Sequence, residues 1–64
     1  MSNTNPLDES HYQMIVDGIM RAENALRQAE MAERAGIDVG DLKAQAQESL
    51  DKLRRMRNVY FPGR

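Results

Sequence analysis

The sequence predicts an all-α fold, an antiparallel hairpin of two helices. Apolar residues recur in alternating steps of three and four in both halves of the chain, which keeps their side chains on one helix face. The two stripes are Tyr12, Ile15, Ile19, Ala22, Leu26 and Ala29, and then Val39, Leu42, Ala46, Ser49, Leu53, Met56 and Tyr60. A helix-stop and helix-start signal separates them at residues 36–38, and so short a turn makes the helices antiparallel neighbours.

The first helix is expected to span about residues 6–35. Asn5 can cap the free N–H groups, and Pro6 suits the first helical position. A later start at Asp8 or Ser10 fits nearly as well. Residues 1–5 are expected to form a flexible arm, and Gly36 is expected to end the helix in a left-handed conformation.

The second helix is expected to span about residues 39–60. Asp38 is the expected N-cap, and Ile37 and Leu42 occupy the positions of a hydrophobic staple around it. Pro62 cannot continue the helix, because it restricts Phe61 and lacks an N–H donor. Residues 61–64 then form a C-terminal tail. This tail either docks on a partner or folds back over the open end of the hairpin.

Folding the stripes about the turn pairs Leu42 with Ala29, Leu53 with Ile19 and Met56 with Ile15 in the sequence. Large side chains face small ones near the turn, whereas large faces large at the open end. We therefore expect close helix approach at the turn and a thicker core near the termini.

The small size of the chain predicts that a partner completes the fold. Sixty-four residues form one domain with a small core, and the chain has no cysteine and one histidine. Disulfides and thiolate metal sites are therefore excluded, and we expect no cofactor. Oligomerisation or docking on a larger protein is the remaining way to bury more apolar surface.

One flank of the first helix carries small residues at seven-residue intervals, which would let another helix approach closely. Val16 and Leu50 adjoin this flank, and Tyr60 and Phe61 at the aromatic end complete the predicted contact surface. The predicted interface residues are Val16, Gly18, Ala25, Ala32, Leu50, Tyr60 and Phe61.

Charge and hydropathy indicate a soluble product, cytoplasmic or virion-associated. The formal net charge is −1, charged residues of both signs make up 30%, and the longest apolar runs are three residues. A membrane span needs about 20 apolar residues, so we expect no membrane insertion.

The basic stretch in the second helix is a candidate for phosphate contacts. Arg54, Arg55 and Arg57 could bind nucleic acid. Cations near a helix C-terminus also offset the helix dipole, which is the simpler interpretation. Nucleic acid is thus the less favoured partner.

His11 lies beside Asp8, Glu9 and Tyr12 and could be read as a general base. The sequence offers it no nucleophile, no phosphate-binding loop and no second histidine. We therefore expect no enzyme and no small-molecule substrate.

Two families share this general plan. The length and heptad pattern are similar to those of small plasmid copy-number regulators, in which two hairpins form a four-helix bundle that binds paired RNA loops. The polar arm, the turn Ala35-Gly36-Ile37-Asp38-Val39 and the aromatic end Tyr60-Phe61-Pro62-Gly63-Arg64 resemble a small virion or accessory protein of a tailed bacteriophage. The second resemblance implies many copies packed against a larger virion protein.

The resulting expectation is a non-enzymatic structural or interaction protein, a coiled-coil-like hairpin that assembles with itself or with a larger protein. A dimeric regulator that binds nucleic acid is the alternative, together with a small inhibitor that lays one helix in the groove of a host enzyme.

Overall fold

The computed structural model describes residues 8–63 and shows an all-α helical hairpin. Helix α1 spans Glu9–Arg34 and helix α2 spans Gly40–Tyr60, and these residues include no strand. The two helices pack against each other along their lengths. The predicted fold class is confirmed, whereas the predicted flexible arm lies outside the described residues.

Helix α1 begins at Glu9, later than position 6, because Asp8 has an extended backbone and acts as the N-cap. The Asp8 carboxylate accepts hydrogen bonds from the backbone N–H groups of Ser10 and His11. A short acidic side chain at this position satisfies N–H groups that have no partner within the helix. The helix thus begins between Asp8 and Ser10, the later start that the sequence also allows, and not at position 6.

Helix α1 ends through Gly36, as the sequence predicts. Gly36 has a φ of 87°, a left-handed value that a residue with a Cβ rarely adopts. The N–H of Ile37 donates to the carbonyl of Ala32 at 3.0 Å, and the N–H of Gly36 donates to that of Glu33 at 2.9 Å. These two bonds form a Schellman motif, which satisfies carbonyls at the helix end.

The predicted cap of α2 is wrong by one residue. Val39 is the N-cap and makes no side-chain capping bond, while Asp38 accepts a hydrogen bond from the N–H of Gly40. The shift moves the staple positions to Asp38 and Lys43. Ile37 and Leu42 accordingly remain mostly exposed, at 57% and 61%.

The core lies along the contact between the helices, which we call the seam. Its larger side chains collect toward the end away from the turn, and alanines occupy the turn side. The buried residues are Ile15, Ile19, Ala22, Ala29, Ala46, Leu50 and Phe61, with Tyr12, Leu26 and Leu53 packed against them.

Helix α2 is rotated relative to the predicted seam. The predicted seam residues Leu42, Ser49, Met56 and Tyr60 are exposed. The residue that follows each of them in the sequence is buried or half-buried instead, which gives Lys43, Leu50, Arg57 and Phe61.

This rotation has a simple physical cause. Burying Leu50 and Phe61 removes more apolar surface from water than burying Ser49 and Tyr60 would. Lys43 is tolerated at the seam because its aliphatic stem can pack while its ammonium stays accessible and pairs with Glu33.

Candidate protein-interaction face

A shallow groove of about 450 Å³ runs between the helices on one side of the hairpin. Small side chains form much of its lining, contributed by Gly18, Ala22 and Ala25 from α1 and by Ala46 and Ser49 from α2. Two helices that carry small residues on the same side leave a depression between them, because nothing extends far enough to fill it.

Large apolar side chains stand at both ends of this groove. Leu42 lines it near the turn, and Leu53 lines it toward the open end. Leu53 also belongs to an adjoining apolar depression of about 220 Å³, which includes Met14 and Met56. Met14 is 67% exposed. We call the side of the hairpin that contains both depressions the open flank.

Interhelical ion pairs form outside the groove lining. The guanidinium of Arg54 donates to the Glu23 carboxylate at 3.3 Å, and the Lys43 ammonium donates to the Glu33 carboxylate at 3.0 Å. This hydrogen bond and the negative charge of Glu33 raise the pKa of Lys43. The groove lining contains only one charged side chain, that of Arg21. The charged contacts between the helices therefore lie outside the groove.

Close packing at Gly18 occurs within the chain. A Cβ on Gly18 would lie 3.1 Å from a δ-methyl of Leu53. Gly18, which the sequence predicts in a lateral contact, thus first lets α2 of the same chain approach. Of the other small residues on this side, Ala25 is exposed and Ala32 is half-buried.

Two of the predicted interface residues belong to the core instead. Leu50 is only 3% exposed and Phe61 is 8% exposed. They are buried because α2 turns them toward α1, so neither reaches a partner while the hairpin is closed. Val16 is half-buried and Tyr60 is exposed. The interface role of these two residues stays a prediction.

The aromatic end folds back onto the open end of the hairpin. The Phe61 ring meets the Tyr12 ring edge to face, with centroids 5.1 Å apart and planes at 66°. Such pairs are favourable beyond the apolar area that they bury. Of the two interpretations of the tail, this geometry matches the folded-back one.

The three candidate arginines lie in different surroundings. Arg54 pairs with Glu23 across the helices, and Arg55 is exposed. Arg57 is half-buried at the seam, where its Nε is shielded from solvent and has no hydrogen-bond partner among the described residues. The three arginines thus differ in exposure and pairing, and their role in phosphate contacts stays a prediction.

His11 takes part in the cap of α1. Its Nδ1 lies 2.9 Å from an Asp8 carboxylate oxygen and 3.3 Å from the Asp8 backbone nitrogen. Hydrogen bonds from the Ser10 hydroxyl, and from the backbone and ring of His11, lower the pKa of Asp8 to about 2. This geometry accounts for both residues as helix-capping groups.

Within residues 8–63, no cluster of three acidic, cysteine or histidine side chains is arranged to hold a metal ion. Over the same range, neither helix is long and apolar enough to cross a membrane.

Sequence reasoning missed the α2 half of the open flank, although the signal was present. Leu42, Ser49 and Met56 recur every seven residues and so share one face. The sequence pattern places them on the seam, so it does not predict their exposure. The apolar arc of α2 is wider than one helix contact requires, and this width indicates a second apolar surface on α2.

Comparison with known proteins adds no relative. No protein-family model matches the sequence, and searches of curated proteins and of solved structures found no match. The functional argument therefore rests on the residues and geometry of this chain.

Proposed function

We propose that this protein is a non-enzymatic structural or interaction protein, a helical hairpin that assembles with itself or with a larger protein through its open flank. The observation that carries the proposal is the apolar groove with exposed Leu42 at one end and exposed Met14 and Met56 at the other. A continuous apolar surface of this kind on a small protein marks an interaction site.

The limited core supports the same proposal. Among the described residues no large side chain is less than 2% exposed, and the chain has no cysteine for a disulfide. Apolar burial contributes about 25 cal/mol per Å², so covering the open flank would add stability that the hairpin lacks alone.

A finer form of the proposal makes the protein a component of a tailed-bacteriophage virion. Only the resemblance in the polar arm, the turn and the aromatic end supports this form. It places many copies against a larger virion protein, whereas the coarser proposal requires only that the open flank be covered.

The test replaces Leu42 with glutamate and measures mass in solution by sedimentation velocity and light scattering over a wide concentration range. Leu42 is the third residue of α2, where a carboxylate is favourable near the positive end of the helix dipole. Leu42→Glu should therefore leave the hairpin folded while it weakens association. Met31→Glu is the matched control, because Met31 is 58% exposed and does not line the groove.

We expect a wild-type mass above 7.3 kDa, a smaller mass for Leu42→Glu and an unchanged mass for Met31→Glu. The wild-type melting temperature should also rise with protein concentration, because association stabilises the folded state by mass action. A monomer with a high melting temperature that neither concentration nor Leu42→Glu alters would contradict the need for any partner.

A further inference from the structure

We propose that the open flank is covered by a second copy of this chain, related by a two-fold axis parallel to the helices, so that α1 of each copy lies on α2 of the other. This inference rests on the proposed function and identifies the partner. The result is an antiparallel four-helix bundle built from two hairpins.

The size of the flank suits such a pair. Helix α2 has 21 residues, so it is about 31 Å long, and two adjacent helices are together about 20 Å wide. The face therefore projects roughly 600 Å² before side-chain relief is counted. Stable interfaces bury about 800 Å² of accessible surface per partner, and accessible surface exceeds projected area because side chains protrude, so one flank is of the size that a dimer buries.

The shapes of the two halves of the flank are complementary. Gly18, Ala25 and Ala32 recur every seven residues on α1, and all three are small. On α2 the corresponding heptad line has large residues at its ends and a small one between them, in the order Leu42, Ser49 and Met56. Ala25 is exposed and Ala32 is half-buried, so both can seat side chains from another helix, whereas Leu53 of the same chain already lies against Gly18.

The position of each helix along the hairpin aligns these two lines. Within one chain, Gly18 lies beside Leu53, and Tyr12 lies beside Phe61. A two-fold axis parallel to the helices leaves each residue of the second copy at the same height along the bundle as in the first. Residues that are level within one chain are therefore also level between the copies, to within about one helical turn. The axis places Ser49 of the second copy over Ala25 and Leu42 over Ala32. Met56 of the second copy comes level with Gly18, where it would pack on the Leu53 side chain that lies against that glycine.

The competing two-fold arrangement is less favourable. An axis perpendicular to the helices would lay α1 on α1 and α2 on α2. With Ser49 at its centre, it would bring the two Arg21 side chains together, since Arg21 lines the middle of the groove. Like charges brought together without a counterion oppose association. The parallel axis separates the two arginines.

Cysteine crosslinking tests this arrangement, because the chain has no cysteine of its own. The variants Ala25→Cys and Ser49→Cys are prepared separately, mixed in equal amounts and oxidised in a glutathione buffer. In the inferred dimer, position 25 of one copy faces position 49 of the other, close enough for a disulfide. Met31→Cys mixed with Ser49→Cys is the matched control, because Met31 does not line the groove.

We expect the disulfide between positions 25 and 49 to form severalfold faster than the control pair or than either variant with itself. Disulfides within each single variant, 25 to 25 and 49 to 49, would overturn the parallel axis in favour of the perpendicular one. A wild-type dimer without any of these crosslinks would overturn the assignment of the open flank.

A wild-type chain that stays monomeric at all concentrations would overturn the second copy as partner. The proposed function would then fail as well only if that monomer also had the high, concentration-independent melting temperature described above. A monomer of low stability would overturn this inference alone and leave docking on a larger protein.

Discussion

Gly18 shows how one residue can be important for packing and still weaken its own helix. Glycine within a helix costs about 1 kcal/mol relative to alanine. The space beside Gly18 is limited by the end of the Leu53 side chain, which is flexible. Leu53 also borders the groove, so it has room to move by a few tenths of an ångström.

We therefore expect Gly18→Ala to stabilise the hairpin by up to about 1 kcal/mol. The measurement is urea unfolding followed by circular dichroism at one fixed protein concentration. The same substitution in a Leu53→Ala background is the control, since the added methyl then meets no leucine and the full helix gain should appear. Lower stability of Gly18→Ala in the wild-type background would show that Leu53 cannot move.

At the scale of the element, the start of α1 depends on a titratable cap. The Asp8 carboxylate is exposed, yet its hydrogen bonds to Ser10 and His11 hold its pKa at about 2, below its ordinary value of 3.8. A lowered pKa means that folding favours the charged form. The stabilising contribution is therefore complete above pH 3.8 and is lost as the pH falls toward 2.

We expect the helix content of the wild-type protein to fall between pH 4 and pH 2, in part through protonation of Asp8. Asp8→Asn should reduce this part of the decrease, because asparagine caps a helix without titrating in this range. Circular dichroism at 222 nm against pH provides the measurement. If Asp8→Asn leaves the acid transition unchanged, the cap does not contribute to it.

The helix ends also show which features local sequence can predict. Gly36 ends α1 as expected, because a left-handed conformation is a property of a single residue. The rotation of α2 could not be predicted in the same way. Helical spacing is satisfied equally by a seam that contains Leu42 and Ser49 and by one that contains Lys43 and Leu50. Only packing against α1 decides between them.

Across the whole molecule, the core is unevenly distributed. Ile15 and Phe61 are buried toward the end away from the turn, and Ile19 and Leu50 are buried near the middle of their helices. Nearer to the turn only alanines are buried, Ala29 and Ala46. The sequence predicts this gradient, although it places Tyr60 on the seam and leaves open whether the tail with Phe61 folds back over the open end. Most of the apolar burial thus depends on contacts remote from the turn.

We expect Phe61→Ala to destabilise the hairpin by about 3 kcal/mol, the lower end of the cost of truncating a buried phenylalanine. In so small a fold this loss should unfold much of the population, which circular dichroism would detect. Val59→Ala is the control, because Val59 is 70% exposed and should change stability by less than about 0.5 kcal/mol. Equal stability of the two variants would show that Phe61 does not hold the open end closed.

The candidate site was predictable from the sequence in one half only. Small residues at Gly18, Ala25 and Ala32 indicate a close helix contact from their identity and spacing alone. The exposure of Leu42 and Met56 depends instead on how far α2 rotates, which the burial of Leu50 and Phe61 determines. A functional surface that is left over after core packing can be recognised only once the core is known.

The contact between Tyr12 and Phe61 also has a kinetic consequence. It joins residues near opposite ends of the described chain, so the core gains its largest side chains only after a long loop has closed. Such non-local contacts raise the contact order and slow folding relative to a hairpin whose core begins at its turn. In native-state hydrogen exchange, amides around Ile15 and Leu50 should therefore be protected longest, and those beside Gly36 should exchange first.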